Sequence, residues 1–411
     1  MAKFSNGRTI CILIVLTLVN IFVIEYSVAQ KWERTFGGVD VDTANSANET
    51  MDGGYIVAGI TKSFGDENGD IWLVKVDSSG NKEWDRTFGG PEYDSAKSVQ
   101  QTRDGGYIIA GCTGFFGEGY GDAWLIKTDS SGNKEWDETF GGTMGDSSAN
   151  SMQQTRDGGY IIAGYVHDAS DSDVLLIKVD SLGSEEWNMT FGGSNDDGSY
   201  SVEQTRDEGY IIAGYTKSYD ANYSKVWIIK TDSLGNREWD RTFQGSTTND
   251  VPYLIRQTND SGYIIVGRTK SHDVSNQTKV DGTSNCYIWL KKTDSTGSEE
   301  WNRTFSKSSD DRANSIQQTR DGGYIIAGYT GVGLIGYSLG LNDIRDAWLI
   351  KTNSLGNKEW DKTFGGARSD EASSVQQTLD GGYVIAGNTW SYGAGYSDVW
   401  LIKTDADGNY E

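Results

Sequence analysis

The sequence predicts an all-β protein folded as a seven-bladed β-propeller, with four antiparallel strands in each blade. Three observations predict this fold. One unit recurs seven times, its strand-like phrases are rich in Ile, Tyr, Trp and Thr, and turn-like phrases with Gly, Asp and Asn separate them. The repeats show no helical periodicity. Because a four-stranded unit of about 50 residues is typical of a propeller blade, we expect seven such sheets in a closed ring.

Four strands, A to D, follow one another in each unit. In one copy they are SVQQT (98–102), GYIIAG (106–111), WLIKTD (124–129) and EWDETF (135–140). Strands B and C are apolar at nearly every position, whereas a half-exposed strand would alternate apolar and polar residues. We therefore expect both faces of each sheet to be covered by neighbouring blades.

Glycine-containing turns connect these strands. Asp104-Gly105 lies between strands A and B, and DSSGN (129–133) lies between strands C and D. Both phrases are typical of β-hairpins, because Gly adopts the positive φ that such turns require. Gly132 is the expected left-handed residue of the second turn.

A tryptophan at the start of strand D anchors each unit. The seven anchors are Trp32, Trp84, Trp136, Trp187, Trp239, Trp301 and Trp360. We assign them a structural role, because a feature present in every copy is typical of the scaffold. Each anchor is expected to pack on the C–D turn of its own copy, as Trp84 on Asp77–Asn81.

The repeat is split between the two ends of the chain. The first repeat phrase, KWERTFGG (31–38), corresponds to strand D, whereas the last unit has only strands A, B and C, at 372–404. The N-terminal strand is therefore predicted to complete the C-terminal blade and close the ring, which removes the exposed sheet edges. Trp32 would then pack against the turn Asp405–Asn409.

Residues 1–29 differ from the rest and resemble a secretory signal peptide. Lys3 and Arg8 precede an apolar run at 10–24, and the small residues Ser27 and Ala29 precede a possible cleavage site. A signal anchor is the alternative, although the run is short for a bilayer span of about 20 residues. We expect 1–29 to be a signal peptide, 30–411 to form one propeller domain, and the mature protein to be secreted or associated with the cell surface.

Composition excludes several functions. The net charge of −23 and the pI of 4.5 argue against nucleic acid and anionic membranes as partners, since both would repel the protein. After the signal segment only Cys112 and Cys286 remain, which is too few for a disulfide framework. The two histidines, His167 and His272, lack neighbours at metal-ligand or catalytic spacing.

The phrase WLIKTDSSGNKEW (124–136) resembles the tryptophan-docking turn of quinoprotein-type propellers. The full repeat is similar to secreted propeller proteins of archaea and bacteria, and this similarity covers 30–411. It implies a propeller fold. Three departures argue against quinoprotein catalysis: the mature chain has no adjacent cysteine pair, seven units are present where eight are usual, and the glycines and acidic residues recur in every blade.

The D–A and B–C loops are predicted to share one face, which is the candidate ligand face. An aspartate recurs in each D–A loop, at Asp42, Asp94, Asp146, Asp197, Asp250, Asp311 and Asp370. This ring is either a polar or cation-binding rim, or a set of turn acceptors that join successive blades; its recurrence favours the second interpretation. The variable B–C loops add the aromatic residues Phe116, Tyr120, Trp390 and Tyr392.

No cofactor is predicted with the exception of a possible calcium ion. Asp66, Asn68 and Asp70 alternate oxygen ligands as calcium loops do, but the distal Glu of an EF-hand is absent. The lysine of each WLIK phrase, such as Lys127, lies within an apolar strand and is expected to pair with a carboxylate of a neighbouring strand or blade.

These features favour a binding or interaction module at the cell surface. We expect it to have no catalytic activity of its own and to bind a protein or a carbohydrate. The alternatives are a polysaccharide lyase or glycosidase with its site in the channel, and a structural component of a surface coat. An enzyme would show a cluster of acid, base or Arg residues near one A strand. Arg256 is the one basic residue at the A-strand position that holds Gln100, Gln153, Glu203, Gln317 and Gln376 in other blades, and we expect it to pair with Glu203.

Overall fold

The computed structural model describes residues 31–114, 121–141, 147–167, 170–219, 224–243, 250–269, 286–331 and 344–410. The regular structure of these residues is entirely β-strand. They contain no helix long and apolar enough to cross a membrane. The proposed signal segment lies outside the described residues.

The strands form seven blades of four. The first strand, β1 (Trp32–Phe36), belongs to the last blade. Blade 1 contains β2 (Asp42–Glu49), β3 (Tyr55–Thr61), β4 (Asp70–Val76) and β5 (Lys82–Phe88). Blade 2 contains β6 (Asp94–Gln101), β7 (Tyr107–Thr113), β8 (Asp122–Thr128) and β9 (Lys134–Phe140). Blade 3 contains β10 (Ser147–Gln154), β11 (Tyr160–His167), β12 (Ser172–Val179) and β13 (Glu185–Phe191).

The other blades follow the same order. Blade 4 contains β14 (Asp197–Gln204), β15 (Tyr210–Thr216), β16 (Lys225–Thr231) and β17 (Arg237–Phe243). Blade 5 contains β18 (Val251–Gln257), β19 (Tyr263–Thr269), β20 (Tyr287–Thr293) and β21 (Glu299–Phe305). Blade 6 contains β22 (Asp310–Gln318), β23 (Tyr324–Gly331), β24 (Arg345–Thr352) and β25 (Lys358–Phe364). Blade 7 contains β26 (Asp370–Gln377), β27 (Tyr383–Thr389) and β28 (Asp398–Thr404), and β1 completes it.

The first strand closes the ring, as the split repeat predicts. β1 pairs antiparallel with β28, from Trp32 opposite Lys403 to Phe36 opposite Val399. Blade 7 therefore has the same four-stranded order as the six blades that come from continuous chain. The predicted all-β, seven-bladed propeller is confirmed.

The hydrophobic core lies between blades. One cluster joins Ile56 and Leu73 of blade 1 to Ile109 and Trp124 of blade 2, and these side chains are almost completely buried. Another joins blade 7 to blade 1 and contains Trp32. Strands B and C are apolar on both faces because each blade is packed on two sides.

The buried lysine of strand C links the strands of one blade. The Nζ atom of Lys127 lies 2.9 Å from Asp104 of the A–B turn and 2.7 Å from Glu135 of strand D. Burial opposes ionisation of Asp104, but hydrogen bonds from Thr102 and Lys127 outweigh it and lower the pKa of the carboxyl to about 2. The predicted pairing of this lysine with carboxylates is confirmed, and the contacts lie within a blade.

The predicted packing of the anchor tryptophans on their own turns was wrong. The indole of Trp84 packs on Gly132, in the C–D turn of the next blade, and that of Trp32 packs on Gly80 of blade 1. Trp32 Nε1 also donates a 3.1 Å hydrogen bond to Ser78 O. Strand D is the outermost strand, so its tryptophan reaches sideways to the neighbouring sheet. The turn Asp405–Asn409 instead receives Trp360, which packs on Gly408.

All seven anchors make this contact with the following blade. Each indole also lies about edge-on to the first tyrosine of strand B in that blade, for example Trp84 to Tyr107 with ring centroids 5.7 Å apart. The anchors are thus inter-blade contacts around the whole ring. The pairs of tryptophan and glycine are Trp32–Gly80, Trp84–Gly132, Trp136–Gly183, Trp187–Gly235, Trp239–Gly297, Trp301–Gly356 and Trp360–Gly408.

Candidate binding site at the channel mouth

The seven A strands line a central channel with a volume of about 330 Å³. Each A strand contains a β-bulge, such as the register shift between Ala96 and Ser98. A bulge leaves one residue unpaired and redirects its side chain, and here that residue lines the channel. The seven bulge residues are Asn45, Lys97, Asn150, Tyr200, Tyr253, Asn314 and Ser373.

Most polar side chains of the channel connect neighbouring blades. Gln100 Oε1 accepts a 2.8 Å hydrogen bond from the backbone N–H of Gln154, and Gln153 Oε1 accepts one of 2.6 Å from Gln204. The amide of Asn45 donates to Ala96 O at 2.7 Å. Each of these amides therefore uses one of its two polar atoms to satisfy a backbone group of the next A strand.

Glu203 and Arg256 occupy the channel wall without the direct ion pair predicted from the sequence. Glu203 Oε2 accepts a 2.8 Å hydrogen bond from the backbone N–H of Gln257, and Arg256 donates to Ile255 O at 3.0 Å. Burial raises the pKa of Glu203, and the charge of Arg256 partly opposes this shift. The Glu203 carboxylate thus accepts a backbone N–H of the next A strand, as the amides of Gln100 and Gln153 do, because all three residues occupy the same position of the repeat.

The sevenfold pattern is broken at one side of the channel mouth. Tyrosine and arginine side chains from blades 4, 5 and 6 meet there, at the beginning of the A and C strands and near the end of the B strands. This position is on the face of the B–C and D–A loops. We call the group the Tyr–Arg sector; it consists of Tyr200, Tyr253, Arg268, Arg312, Tyr329 and Arg345.

Aromatic rings hold the guanidinium groups of the Tyr–Arg sector. The Arg312 guanidinium lies 5.7 Å from the ring centroid of Tyr253 and 5.5 Å from that of Tyr329. Arg345 lies 4.7 Å from the Tyr329 ring. Tyr200 is 5.9 Å from Tyr253. Such cation–π contacts restrict the orientation of the cation without neutralising it.

The arginines differ in their charge partners. Arg345 binds Glu371 at 2.7 Å and Asp310 at 3.3 Å. Arg268 and Arg312 form no ion pair or hydrogen bond with any described residue, and the Nε atoms of both are buried without an acceptor. Two of the three guanidinium groups of the sector therefore have no direct carboxylate contact in the described part of the chain.

The tyrosines of the sector are hydrogen-bond donors at neutral pH. Burial raises the pKa of Tyr200 and of Tyr253, and the nearby charges of Arg268 and Arg312 only partly oppose the shift. Both hydroxyl groups therefore keep their protons. Two cations and protonated phenols at the end of a polar channel form a site for an acceptor group, such as an anion.

The predicted ring of D–A aspartates lies on this face, but its carboxylates are turned inward. Asp42 is fully buried and accepts hydrogen bonds from Gly38 N at 2.8 Å and from Ser63 Oγ at 2.6 Å. Such turn acceptors tie the D–A loop to the B–C loop of the same blade. The other described members, Asp94, Asp197, Asp250, Asp311 and Asp370, are also buried, whereas Asp146 lies outside the described residues.

Two of the three side chains of the proposed calcium loop form hydrogen bonds with neighbouring backbone groups. Asp70 accepts a 3.0 Å hydrogen bond from Asp66 N, and the amide of Asn68 donates to Pro91 O at 2.7 Å. In the described part of the chain, no three His, Cys, Asp or Glu side chains are grouped to hold a metal ion. Calcium binding at Asp66, Asn68 and Asp70 stays a prediction.

The two predicted aromatic residues that the structure describes, Trp390 and Tyr392, do not line the channel. The hydroxyl of Tyr392 donates to Gly365 O at 2.8 Å, and its ring packs against Trp400. Trp390 is partly buried in the same B–C loop. Phe116 and Tyr120 lie outside the described residues.

Sequence reasoning missed the Tyr–Arg sector, although a signal was present. The residue after the glycine of GYIIAG is a tyrosine in blades 3, 4 and 6, whereas it is Arg268 in blade 5. Alignment of the repeats at this position would have identified Arg268 as the basic exception. The meeting of these side chains with bulge residues such as Tyr253 depends on how adjacent sheets pack, which the repeat pattern does not specify.

No protein-family model matches the chain, and no curated protein matches it. Among solved structures, the chain is similar to Sqt1 from Chaetomium thermophilum, with 9% identity, a TM-score of 0.51, and coverage of 92% of this chain and 98% of that chain. It is also similar to the WD40 domain of Pan2 from Neurospora crassa, with 12% identity, a TM-score of 0.50, and coverage of 87% and 88%. At these identities the likeness shows the fold alone, which is a β-propeller.

Proposed function

We propose that this protein is an interaction propeller that is secreted or held at the cell surface and binds a partner protein through the Tyr–Arg sector. The observation that carries this proposal is the position of the sector. It is the place where three adjacent blades depart together from the repeat, and it lies at the open end of the channel on the face of the variable loops. A scaffold feature recurs in every blade, whereas a binding site departs from the symmetry.

The composition of the sector supports a protein partner. Tyrosine and arginine are enriched among the residues that contribute most to protein–protein binding, because they combine a large contact area with hydrogen-bond donors. Arg312 and Tyr253 are partly buried and held by neighbours, so little side-chain freedom is lost on binding. The secreted location rests on the composition of residues 1–29.

The channel chemistry favours binding over hydrolysis. Among the described residues that line the channel, Glu203 is the one carboxylate, and it is hydrogen-bonded to Gln257 N. A glycosidase generally uses two carboxyl groups that flank the bond to be broken. This observation supports a binder rather than a channel-site glycosidase.

Site-specific photocrosslinking tests the proposal. Benzoylphenylalanine is placed at Tyr219, which is 53% exposed in the B–C loop of blade 4, and in a second variant at Leu234, which is 62% exposed in the C–D turn of the same blade. Each purified variant is irradiated with the surface fraction of the source cells. We expect a discrete protein adduct from position 219 and none from position 234.

The matched control separates the two faces of one blade. Equal adducts from both positions, or none from position 219, would contradict the proposal. Turnover of any member of a polysaccharide panel, abolished by Arg256→Ala, would instead support the enzyme alternative.

A further inference from the structure

We infer that the ligand of the Tyr–Arg sector is an acidic peptide segment, whose side-chain carboxylate binds between Arg268 and Arg312. The inference rests on the proposed function and adds the chemistry of the partner.

The first argument is charge balance. Other arginines without a carboxylate partner, such as Arg34 and Arg303, donate to backbone carbonyl groups instead. The strand C lysines each bind carboxylates, as Lys127 does with two, and Arg345 also binds two. Arg268 and Arg312 remain without one among the described residues. A partly buried charge without a partner costs free energy, and an incoming anion would remove that cost.

The second argument is geometry. The faces of Tyr253 and Tyr329 restrict the Arg312 guanidinium from two sides, so its free N–H groups are presented at the edge of the group. Guanidinium edges bind carboxylates through paired N–H···O hydrogen bonds, which are stronger than those between neutral groups. Tyr200 and Tyr253 keep their phenolic protons because burial raises their pKa, and they supply further donors.

The third argument distinguishes a peptide from an anionic sugar. A uronic acid chain presents hydroxyl groups along with its carboxylates, and hydroxyl groups require polar partners. Each nearby amide already uses one N–H for the backbone of the next blade: Asn150 donates to Ser199 O at 2.8 Å, and Asn314 donates to Ala372 O at 2.8 Å, which leaves fewer donors for hydroxyl groups. A glutamate or aspartate side chain requires only the guanidinium and phenol donors, which the sector offers.

Titration with a defined acidic peptide tests the inference. Fluorescein-labelled hexaglutamate is titrated with the protein comprising residues 30–411, and binding is followed by fluorescence anisotropy; labelled hexaglutamine is the uncharged reference. We expect saturable binding of hexaglutamate, weakened by salt, and no binding of hexaglutamine. Arg268→Gln and Arg312→Gln should each weaken hexaglutamate binding by at least about tenfold, equivalent to about 1.4 kcal/mol.

Arg303→Gln is the matched control variant. Arg303 also stacks on an aromatic ring, with 5.2 Å between its guanidinium and Trp301, but it lies on an outer strand of blade 5. Its loss should leave hexaglutamate binding unchanged. Arg312→Lys keeps the charge without the paired donors and should bind with intermediate affinity. Circular dichroism and the melting temperature show whether each variant is folded.

Several outcomes would overturn the inference, and they are distinguishable from failure of the proposed function. Equal affinity of wild type, Arg268→Gln and Arg312→Gln for hexaglutamate would contradict the carboxylate site. Binding of oligogalacturonate that depends on Arg312, without binding of hexaglutamate, would replace the peptide with a sugar. If hexaglutamate fails to bind while crosslinking from position 219 persists, the inference of an acidic peptide ligand is contradicted. The proposed interaction function is then still supported.

Discussion

Carboxylates are buried in pairs at several junctions between blades. A Cβ atom at Gly89 would lie 2.0 Å from Asp70 Oδ1 and 2.7 Å from Asp94 Oδ2, which places the two oxygens within about 5 Å of each other. Burial raises the pKa of both groups, and each neighbouring charge adds to the effect: Asp66 acts on Asp70, and Asp70 acts on Asp94. Asp398 likewise faces Asp42 across Gly37, and burial together with that neighbouring charge raises the pKa of Asp398. The folded protein therefore holds the pKa of Asp70, Asp94 and Asp398 above the usual value.

Asp70→Asn should become relatively more stabilising as pH rises. The folded-state pKa of Asp70 lies above its usual value of 3.8, so the contribution of the wild-type carboxyl is fully present below that value and is lost as pH rises through the folded-state pKa. Asn resembles the protonated form and does not titrate. Melting temperatures of both proteins between about pH 3 and pH 8 measure the difference.

Asp129→Asn is the control of opposite sign. Hydrogen bonds from Asn133 hold the pKa of Asp129 below its usual value, so the wild-type carboxylate contributes above that value and loses its contribution as pH falls. Asp129→Asn should therefore lose stability relative to wild type as pH rises. A difference between Asp70→Asn and wild type that stays constant or shrinks with rising pH would contradict the assignment.

At the scale of the structural element, the C–D turn both reverses the chain and receives the anchor tryptophan of the preceding blade. Gly132 has φ +78°, and a Cβ atom there would lie 2.7 Å from the Trp84 ring. Gly105, in the A–B turn of the same blade, has φ +86° and open space at the Cβ position. Both glycines are needed for a positive φ, but only Gly132 also leaves room for an indole. A comparison of the two positions therefore separates the effect of backbone conformation from the effect of the inter-blade contact.

Gly132→Ala should destabilise the protein more than Gly105→Ala. Both substitutions place a side chain at positive φ, which costs about 1–2 kcal/mol. At Gly132 the methyl group also displaces the Trp84 indole, which adds about 1–3 kcal/mol of overpacking. Chemical denaturation of the two variants measures the free energies of unfolding. Equal losses of unfolding free energy in the two variants would show that the packing of Trp84 does not require glycine at position 132.

At the scale of the whole molecule, residues 31–38 join both sides of the ring closure. β1 covers the edge of β28, and Trp32 packs on the turn at 77–81 of blade 1. The cluster between blades 7 and 1 contains Trp32, Val57 and Leu401. Loss of β1 would expose a strand edge and open the junction on both of its sides.

Deletion of residues 31–38 should raise hydrogen exchange in β28 and at 77–81, and lower the melting temperature. The turn at 405–409 should be much less affected, because Trp360 packs on it. A protein that lacks only residues 1–29 is the control and should show the protection of the intact ring. Unchanged hydrogen exchange in β28 after the deletion would contradict closure of the ring by the first strand. Increased exchange at 405–409 instead of 77–81 would indicate that Trp32 packs on the turn Asp405–Asn409, as the sequence predicts.

Much of the architecture can be read from local patterns. The hairpin at Asp104-Gly105, the apolar strand WLIK and the split repeat at the two ends each predict their element, since turn geometry and the burial of strand faces depend on nearby residues. The pairing of Lys127 with carboxylates follows for the same reason: a charge within a buried strand requires a partner.

The partner of each inter-blade contact and the position of the candidate site depend on the tertiary structure. Trp84 packs on Gly132 rather than on its own turn because the neighbouring sheet lies beside the tryptophan of strand D. Likewise, Tyr200, Tyr253, Arg268 and Arg312 come from three blades, and only the angle between blades and the bulges of the A strands bring them to one side of the channel mouth. The repeat period determines that there is a ring; the packing of successive sheets determines which side chains meet on it.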